Sequence, residues 1–199
     1  MGKGDTVFVH TVTEDNRPDD FTQFTVINHP LLNGDRDASE IVMVTPNWTG
    51  VYNNKEIGVY YDPTKARWTI FNQDADVMPI GASFNVQIIR DADTGARHHV
   101  TAENTVNTSK TLIDNISLNG NAAAQFIVTQ NWSYSSGVYN NHPVGVEYDW
   151  EASQWAIVNL DGAAMPEGAG FNLHITQNGD FYSDGVLLNG GFEVPAATQ

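Results

Sequence analysis

The sequence predicts an all-β protein made of tandem duplicated units, each an antiparallel β-sandwich or barrel, with pseudo-twofold symmetry between the units. Three observations predict this fold: an internal repeat that spans most of the 199 residues, short runs in which apolar and polar residues alternate, and Asn-Gly pairs that separate the runs as turns. The 3.6-residue periodicity of an amphipathic helix is missing from these runs.

The internal repeat is clearest in a nine-residue motif. Val51-Tyr-Asn-Asn-Lys-Glu-Ile-Gly-Val59 reappears 87 residues later as Val138-Tyr-Asn-Asn-His-Pro-Val-Gly-Val146. The same spacing relates further pairs, namely Trp68 with Trp155, Asn72 with Asn159, Asp74 with Asp161, Met78 with Met165 and Asn85 with Asn172. Upstream the spacing falls to 84, so that Asn47-Trp48 matches Asn131-Trp132. The second copy therefore holds three extra residues within Ser133–Ser136, a change that a surface loop tolerates.

The repeat defines the domain organisation. We predict a first β repeat over residues 1–90, a linker over 91–97, a second β repeat over 98–176, and a C-terminal strand or tail over 177–199. A unit of this size can fold alone, and the short linker allows the two units to pack against each other.

Each copy is predicted to contain about six short strands. In the first copy they lie near residues 7–12, 22–28, 40–45, 57–61, 67–72 and 83–89. The last strand shows the alternation well, because Phe84, Val86 and Ile88 are separated by polar residues. Tyr60 becomes Glu147 in the second copy, and a face that changes chemistry without changing its pattern is expected to face water. Trp68 and Trp155 have apolar neighbours on their own face and are predicted to belong to the core.

Composition and charge exclude several classes of partner and chemistry. The chain carries 24 acidic and 9 basic residues and a formal charge of −15, which disfavours nucleic acid and anionic membranes as partners. It has no cysteine, which excludes disulfides, thiol nucleophiles and thiolate metal sites. No apolar run is long enough for membrane insertion. The N-terminus lacks the apolar core of a signal peptide, so we expect a cytosolic protein or one whose signal has been removed.

The shared motifs resemble a known repeat domain. The pattern runs Asn-Trp, then Gly-Val-Tyr-Asn-Asn-His-Pro-Val-Gly-Val-x-Tyr, Trp-x-Ile-x-Asn-x-Asp and Met-Pro-x-Gly-Ala-x-Phe-Asn, and it is similar to a repeat of uncharacterised, mostly secreted bacterial proteins. The first copy departs from it at Lys55-Glu56, where the pattern has His-Pro. The resemblance implies an extracellular or cell-surface bacterial location and no particular chemistry.

Aromatic and amide residues recur around the loop whose length differs between the copies. Amide groups bond to sugar hydroxyls, and aromatic faces stack on the apolar side of a pyranose ring. We therefore predict a lectin-like binding module with one site per repeat and a glycan or cell-surface polysaccharide as partner, because two modest sites raise avidity. The alternative is that the asparagines form turns and the rings belong to the core. The candidate ligand-binding residues are Trp48, Tyr52, Asn53, Asn54, Trp132, Tyr139, Asn140 and Asn141.

A calcium ion is the one cofactor that the sequence suggests. Asp91-Ala-Asp-Thr-Gly95 begins like a calcium loop, with Asp91 and Asp93 as candidate ligands. The later acidic ligand of an EF-hand is missing, so a solvated turn without any cofactor is the alternative.

Two further classes of function stay open. The usual nucleophile, zinc-protease and phosphate-binding motifs are absent, so we do not expect an enzyme. A glycoside hydrolase needs only two carboxylates, for which Asp62 with Asp149 and Asp74 with Asp161 are candidates. A structural protein that forms a homo-oligomer through edge strands or the C-terminal tail is the other alternative.

Overall fold

A computed structural model describes residues 6–34, 39–132 and 137–176. The predicted extra loop residues Ser133–Ser136 and the predicted C-terminal strand or tail over 177–199 lie outside the described residues. The all-β prediction is confirmed, and the predicted strand positions of the first copy agree closely with those observed. The described strands are β1 (Thr6–Thr11), β2 (Phe24–Val26), β3 (Ile41–Asn47), β4 (Ile57–Asp62), β5 (Arg67–Asn72), β6 (Ser83–Ile89), β7 (Gly95–His99), β8 (Thr105–Val106), β9 (Lys110–Leu112), β10 (Phe126–Asn131), β11 (Val144–Asp149), β12 (Gln154–Asn159) and β13 (Gly170–Ile175).

The first repeat, strands β1 to β6, is a two-layer sandwich. One layer has the strand order β1-β6-β3 and the other has the order β2-β5-β4, with antiparallel pairing inside each layer. Apolar side chains from both layers form one core that includes Trp68, Ile70, Phe84 and Val86, all of which are fully buried. The prediction that Trp68 belongs to the core is confirmed. The alternation read from β6 is also confirmed, because Asn85 points outward and is exposed.

The second repeat, strands β7 to β13, has the same two layers. The order β7-β13-β10 corresponds to β1-β6-β3, and the order β9-β12-β11 corresponds to β2-β5-β4, with the two-residue strand β8 added next to β9. Its core contains Phe171, Leu173 and Ile157. Trp155, which was predicted to belong to the core, is partly buried and packs against it. No sheet of the described residues closes on itself, so each repeat is a sandwich. β7 begins at Gly95, which makes residues 95–97 of the predicted linker part of a strand.

The two repeats are joined by strand pairing between non-equivalent strands. β10 of the second repeat pairs in parallel with β4 of the first, with Gln130 opposite Gly58 and Asn131 opposite Val59. The result is one six-stranded sheet of order β2-β5-β4-β10-β13-β7 that runs through both repeats. A twofold axis that pairs β4 with β10 would also pair β3 with β11, and these described strands do not pair. The expected pseudo-twofold symmetry is therefore corrected to a head-to-tail contact.

A single residue difference gives the physical reason for this asymmetry. Pro46 of β3 occupies the position that Gln130 occupies in β10. Proline has no N–H group to donate to a neighbouring strand and is typical of unpaired sheet edges. β3 is therefore unsuited to the strand pairing that β10 makes.

The outer edge of β3 is instead covered by side chains of the second repeat. The Asn172 amide donates to the carbonyl of Val42 at 3.0 Å, and the Val44 N–H donates to the Thr129 hydroxyl at 3.2 Å. Asn172 is fully buried, whereas its counterpart Asn85 is exposed. The prediction that the variable faces of both repeats face water is therefore wrong at this junction, because the first repeat covers Asn172 and Trp132 of the second repeat packs on Tyr60.

A chain of polar bonds bridges the two layers of the first repeat. The Nε2 atom of His10 lies 2.7 Å from the Thr25 hydroxyl, and that hydroxyl lies 2.9 Å from Oδ1 of Asn16. Because the Asn16 oxygen only accepts, the Thr25 hydroxyl donates to it, and the hydrogen between His10 and Thr25 comes from Nε2.

The second repeat preserves this chain of bonds. Nε2 of His98 lies 2.8 Å from the Thr111 hydroxyl, which donates to Oδ1 of Asn104 at 2.8 Å. Burial lowers the pKa of His10 to about 4, and burial with a smaller contribution from neighbouring His99 lowers the pKa of His98 to about 4. Both imidazoles are therefore neutral structural groups at pH 7.

No helix in the part of the chain that the structure describes is long and apolar enough to cross a membrane.

Candidate functional site

The first candidate loop is closed by a buried amide pair. Asn53 is buried, and its amide donates to Oδ1 of Asn72 at 2.8 Å and contacts the sulfur of Met78 at 3.7 Å. The Asn72 amide in turn donates to the carbonyls of Asp76 and Val77. Asn53 therefore anchors its loop to the end of β5, and the expectation that it faces a ligand is corrected.

The second candidate loop has the same anchor. Asn140 is buried, and it exchanges two hydrogen bonds with Asn159, at 2.9 and 3.1 Å. Asn159 also donates to the carbonyls of Ala163 and Ala164. The expectation that Asn140 faces a ligand is also corrected, because its buried amide both donates to and accepts from Asn159 inside the protein. Asn54 and Asn141, which follow these anchors, are exposed as a ligand site requires.

Another shared pair of asparagines ties neighbouring strands together. Asn47 donates to Asn85 at 3.0 Å between β3 and β6, and Asn131 donates to Asn172 at 2.7 Å between β10 and β13. These residues recur because both repeats need the same cross-strand bond.

The shared aspartates that could have served a glycosidase cap turns. The Asp62 carboxylate accepts the backbone N–H groups of Thr64 and Lys65 in the β4–β5 turn. The Asp149 carboxylate accepts those of Glu151 and Ala152 in the β11–β12 turn. Each therefore has a structural reason to recur.

The second pair of shared aspartates contacts basic side chains at the surface. Asp74 contacts the Lys55 ammonium at 2.7 Å, and Asp161 contacts Nδ1 of His142 at 2.8 Å. The hydrogen bond from Lys55 lowers the pKa of Asp74 below its usual value. Lys55 is the first-repeat residue that departs from the family-like pattern, and the structure shows that it keeps the pairing which His142 makes in the second repeat.

The aromatic residues of the first loop are exposed. Trp48 and Tyr52 have 69% and 71% of their surface accessible, and their ring centroids lie 6.2 Å apart in an edge arrangement. We call Trp48 and Tyr52 the open pair. Asn54, two residues after Tyr52 in the sequence, is exposed as well.

The aromatic residues of the second loop pack against the first repeat. The ring of Trp132 stands edge-on to Tyr60 with centroids 4.9 Å apart, and Tyr139 stands edge-on to Phe71 at 5.8 Å. The backbone N–H of Asn140 donates to the side chain of Gln73 at 3.3 Å. We call Trp132 and Tyr139 the docked pair. One loop is therefore open and the other is docked, so the residues predicted to form one site per repeat lie in different surroundings in the two repeats.

Docking of the second loop creates a groove at the junction of the repeats. Its volume is about 350 Å³, and side chains of both repeats line it. Neighbouring rings in the wall lie within 6.0 Å of each other between centroids, which gives a continuous aromatic surface. The residues that define this junction groove are Phe21, Phe24, Tyr60, Asp62, Thr64, Lys65, Trp132 and Tyr139.

One end of the junction groove is charged. The Asp62 carboxylate accepts hydrogen bonds from the Lys65 ammonium at 2.7 Å and from the Thr64 hydroxyl at 2.6 Å. Burial alone would raise the pKa of Asp62, but the hydrogen bonds from Lys65 and Thr64 outweigh burial and lower it to about 2. Burial, with the nearby Asp62 charge, raises the pKa of Tyr60. At neutral pH this end therefore presents a carboxylate, an ammonium group and a neutral phenol.

The candidate calcium ligands lie in the turn between β6 and β7. The carboxylate of Asp91 accepts the N–H of Asp93 at 2.9 Å, and its carbonyl accepts the N–H of Gly95 at 2.9 Å. Among residues 6–34, 39–132 and 137–176, no three acidic or histidine side chains are grouped as a metal site would require. The structure therefore shows a hydrogen-bonded turn at Asp91 and Asp93.

The sequence reasoning missed the first-repeat wall of the junction groove. Phe24 and Phe71 face each other across β2 and β5, and the corresponding pair across β9 and β12 is Lys110 and Val158. Together with the change from Tyr60 to Glu147, the first copy has three aromatic residues that the second lacks. This excess of aromatic residues in the first copy was the sequence feature that could have predicted the groove wall. It marks the face on which the rings of the second repeat pack.

The sequence model of one protein family, described as a domain of unknown function (DUF7452), matches the chain twice, over residues 2–88 and over residues 58–175. The two overlapping matches are compatible with a repeat domain. No curated protein and no solved structure matches the chain.

Proposed function

The chain belongs to the DUF7452 family of domains of unknown function, and we propose that it is a carbohydrate-binding protein whose principal site is the junction groove. The observation that carries the proposal is the groove's composition, an aromatic wall from both repeats that ends at a carboxylate and an ammonium group.

The aromatic wall suits a sugar because a pyranose has an apolar face of C–H groups. Tyr60, Trp132 and Phe24 supply ring surface at one place, and aromatic side chains provide large contact areas with little loss of conformational entropy. A groove of about 350 Å³ has the size of a small-ligand site. It therefore accommodates one or two sugar rings of a longer chain.

The polar end suits sugar hydroxyls because each hydroxyl both donates and accepts. Asp62 accepts and Lys65 donates, and their mutual hydrogen bond holds both groups in position before a ligand arrives. The Tyr60 hydroxyl can do both, and the Thr64 hydroxyl, which already donates to Asp62, adds an acceptor. Preorganised polar groups of this kind lower the entropic cost of binding.

The protein's setting is part of the same proposal. The resemblance to secreted bacterial repeats and the affinity for glycans proposed here both favour an extracellular or cell-surface role with a polysaccharide as partner. Fractionation of a bacterium that produces the protein would test it, and we expect the protein in the medium or the cell-wall fraction.

The proposal is tested by titrating the protein with hexasaccharides of cellulose, chitin, mannan and xylan in a calorimeter, with and without calcium. We expect at least one hexasaccharide to bind. Phe21→Ala together with Lys65→Ala should then lower that affinity about tenfold, or about 1.4 kcal/mol, because one ring and one donor of the groove are removed. Both side chains are exposed, so the fold should tolerate these changes.

Trp150→Ala is the matched control, because Trp150 is 78% exposed but lies outside the groove. Its affinity should equal that of the unchanged protein. Absence of binding to every hexasaccharide at millimolar concentration, or equal loss in the control and groove variants, would contradict the proposal.

A further inference from the structure

The rings of the open pair are more exposed to solvent than those of the docked pair. Trp48 and Tyr52 are more than two thirds exposed, whereas Tyr139 of the docked pair is 40% exposed and Trp132 is half-buried. Large exposed aromatic surface in a folded protein often marks an interaction site. The question is what the open pair binds.

The loop that carries the open pair is held in place on both sides. Before Tyr52, the Thr49 hydroxyl lies 3.3 Å from the Gly81 carbonyl and 3.1 Å from the Ser83 hydroxyl, within hydrogen-bond distance of both. After it, Asn53 is bonded to Asn72 in the interior. The two rings therefore stand on a loop that is anchored at each end, so little conformational entropy is lost when they bind.

A second copy of the chain is the first partner to consider, because the docked pair binds a repeat. The docked pair rests on Tyr60 and Phe71, and the corresponding residues on the second repeat are Glu147 and Val158. Lys110 bridges Glu147 at 2.7 Å and Asp149 at 3.0 Å on that face. The outer face of the second repeat is therefore polar where the receiving face of the first repeat is aromatic.

The strand that precedes the open pair is also unsuited to docking on another copy. In the internal junction Gln130 pairs with Gly58, and its counterpart Pro46 lacks the N–H group. Polar outer faces and edge prolines are devices that stop repeat proteins from adding further units. Pro46 of the first repeat and the polar cluster around Lys110 of the second therefore both disfavour a further junction of this kind.

We propose that the open pair is a second, non-equivalent sugar platform, and that the natural ligand is a polysaccharide long enough to engage it together with the junction groove. This inference rests on the proposed function of the groove and names its ligand class. The open rings offer stacking surface, and the exposed amide of Asn54 offers a donor and an acceptor for hydroxyls. An open platform suits the surface of a polymer, whereas the groove suits a short stretch of one chain.

If both sites bind one polymer, the apparent affinity for the polymer rises through avidity. A short oligosaccharide that occupies one site gains nothing from the other. The second contact becomes intramolecular once the first has formed, and this gain reaches orders of magnitude when the geometry allows both. Loss of the open pair should then weaken polymer binding while leaving hexasaccharide binding in the groove unchanged.

The test uses the full chain, the polysaccharide whose hexasaccharide binds most tightly in calorimetry, and depletion of protein from solution by that polysaccharide in insoluble form. We expect the double variant Trp48→Ala, Tyr52→Ala to lose tenfold or more in apparent affinity for the insoluble polymer and to bind the hexasaccharide like the unchanged protein. Trp150→Ala is the control and should be retained normally.

The outcomes separate the two proposals. If the double variant is retained like the unchanged protein while the groove variant is not, the second platform is wrong and the groove stands. If no hexasaccharide and no polymer binds, the proposed function fails and this inference with it. If sedimentation shows concentration-dependent association that the double variant abolishes, a second copy is the occupant and the inference is overturned.

Discussion

The loop from Trp48 to Asn54 and the loop from Trp132 to Asn141 began as copies of one sequence and now do different work. Each contains a buried asparagine, Asn53 or Asn140, that bonds to a second asparagine at the end of a strand, Asn72 of β5 or Asn159 of β12. In the first repeat the aromatic side chains of the loop face solvent, and in the second they rest on Tyr60 and Phe71. After duplication, both repeats therefore kept the buried asparagine that anchors the loop, while the surroundings of the aromatic rings changed.

The difference arises from the receiving face. The first repeat offers aromatic residues to the loop that follows it, and the second repeat offers a polar cluster around Lys110 instead. The pairing between β4 and β10 then brings the docked pair onto the aromatic face. A groove appears at the junction because two repeats meet there, and neither repeat holds all of its wall.

The largest expected effect is on the pH dependence of stability, and it concerns the buried histidine that both repeats share. His10 and His98 are buried and neutral with a pKa of about 4, whereas in the unfolded chain each takes up a proton below about pH 6.5. The unfolded state therefore binds more protons between these values. The contribution of each histidine to stability is complete above pH 6.5 and falls towards pH 4, by on the order of 3 kcal/mol for each.

Urea unfolding at pH 7.5, 5.5 and 4.5 measures this loss. His10→Gln and His98→Gln should each reduce the dependence on pH by a similar amount, because the two networks have the same geometry. The carboxylate contribution of Asp62 is lost at lower pH, below about 4, so the two windows separate. Stability that stays constant from pH 7.5 to 4.5 would show that the imidazoles are not buried as described.

The next largest effect concerns the loop tryptophans, whose surroundings differ between the two repeats. Trp132→Ala should lower the free energy of unfolding by about 2 kcal/mol or more, because the indole packs on Tyr60 and closes the junction. Trp48→Ala, at the equivalent position, should change it by less than about 0.5 kcal/mol, since the ring is 69% exposed. Urea unfolding of both variants at pH 7.5 makes the comparison. Equal losses would mean that the two loops are in equivalent environments.

The last effect concerns the two buried asparagines, Asn53 and Asn140, that anchor the loops. Asn53→Ala and Asn140→Ala should each cost about 1–3 kcal/mol, because each leaves a buried partner amide without its hydrogen bond. Asn54→Ala and Asn141→Ala, one residue further on and exposed, are the matched controls and should cost little. Thermal unfolding followed by circular dichroism is sufficient here. A pair of anchor variants as stable as the controls would contradict the structural role assigned to both asparagines.

The strands and the core were predictable because they depend on local alternation. Alternation in Phe84–Ile88 and the apolar neighbours of Trp68 identify buried faces wherever the neighbouring strands come from. The internal repeat predicts the same buried face in the second copy, where Phe171 and Leu173 are buried as their counterparts are.

The junction was not predictable because it depends on which edges meet. The sequence shows that Tyr60 and Glu147 differ, but a difference between copies arises equally from free exposure and from unequal contacts. The consequence of Pro46 appears only when β10 is seen to pair with β4. Asn53 and Asn140 were misread for a related reason, since a recurring amide serves a ligand or a turn and only burial separates the two.

The central claim is that docking of the second loop turns Trp132 into a wall of a sugar site. A two-dimensional ¹H–¹⁵N spectrum shows the indole N–H signals of the five tryptophans separately, and each is assigned by single substitution. During titration with the hexasaccharide that binds most tightly, we expect the Trp132 signal to move with saturation, while those of the fully buried Trp68 and of Trp150 stay in place. A titration in which sugar binds and the Trp132 signal does not move, or in which no sugar of the panel binds, would contradict the account.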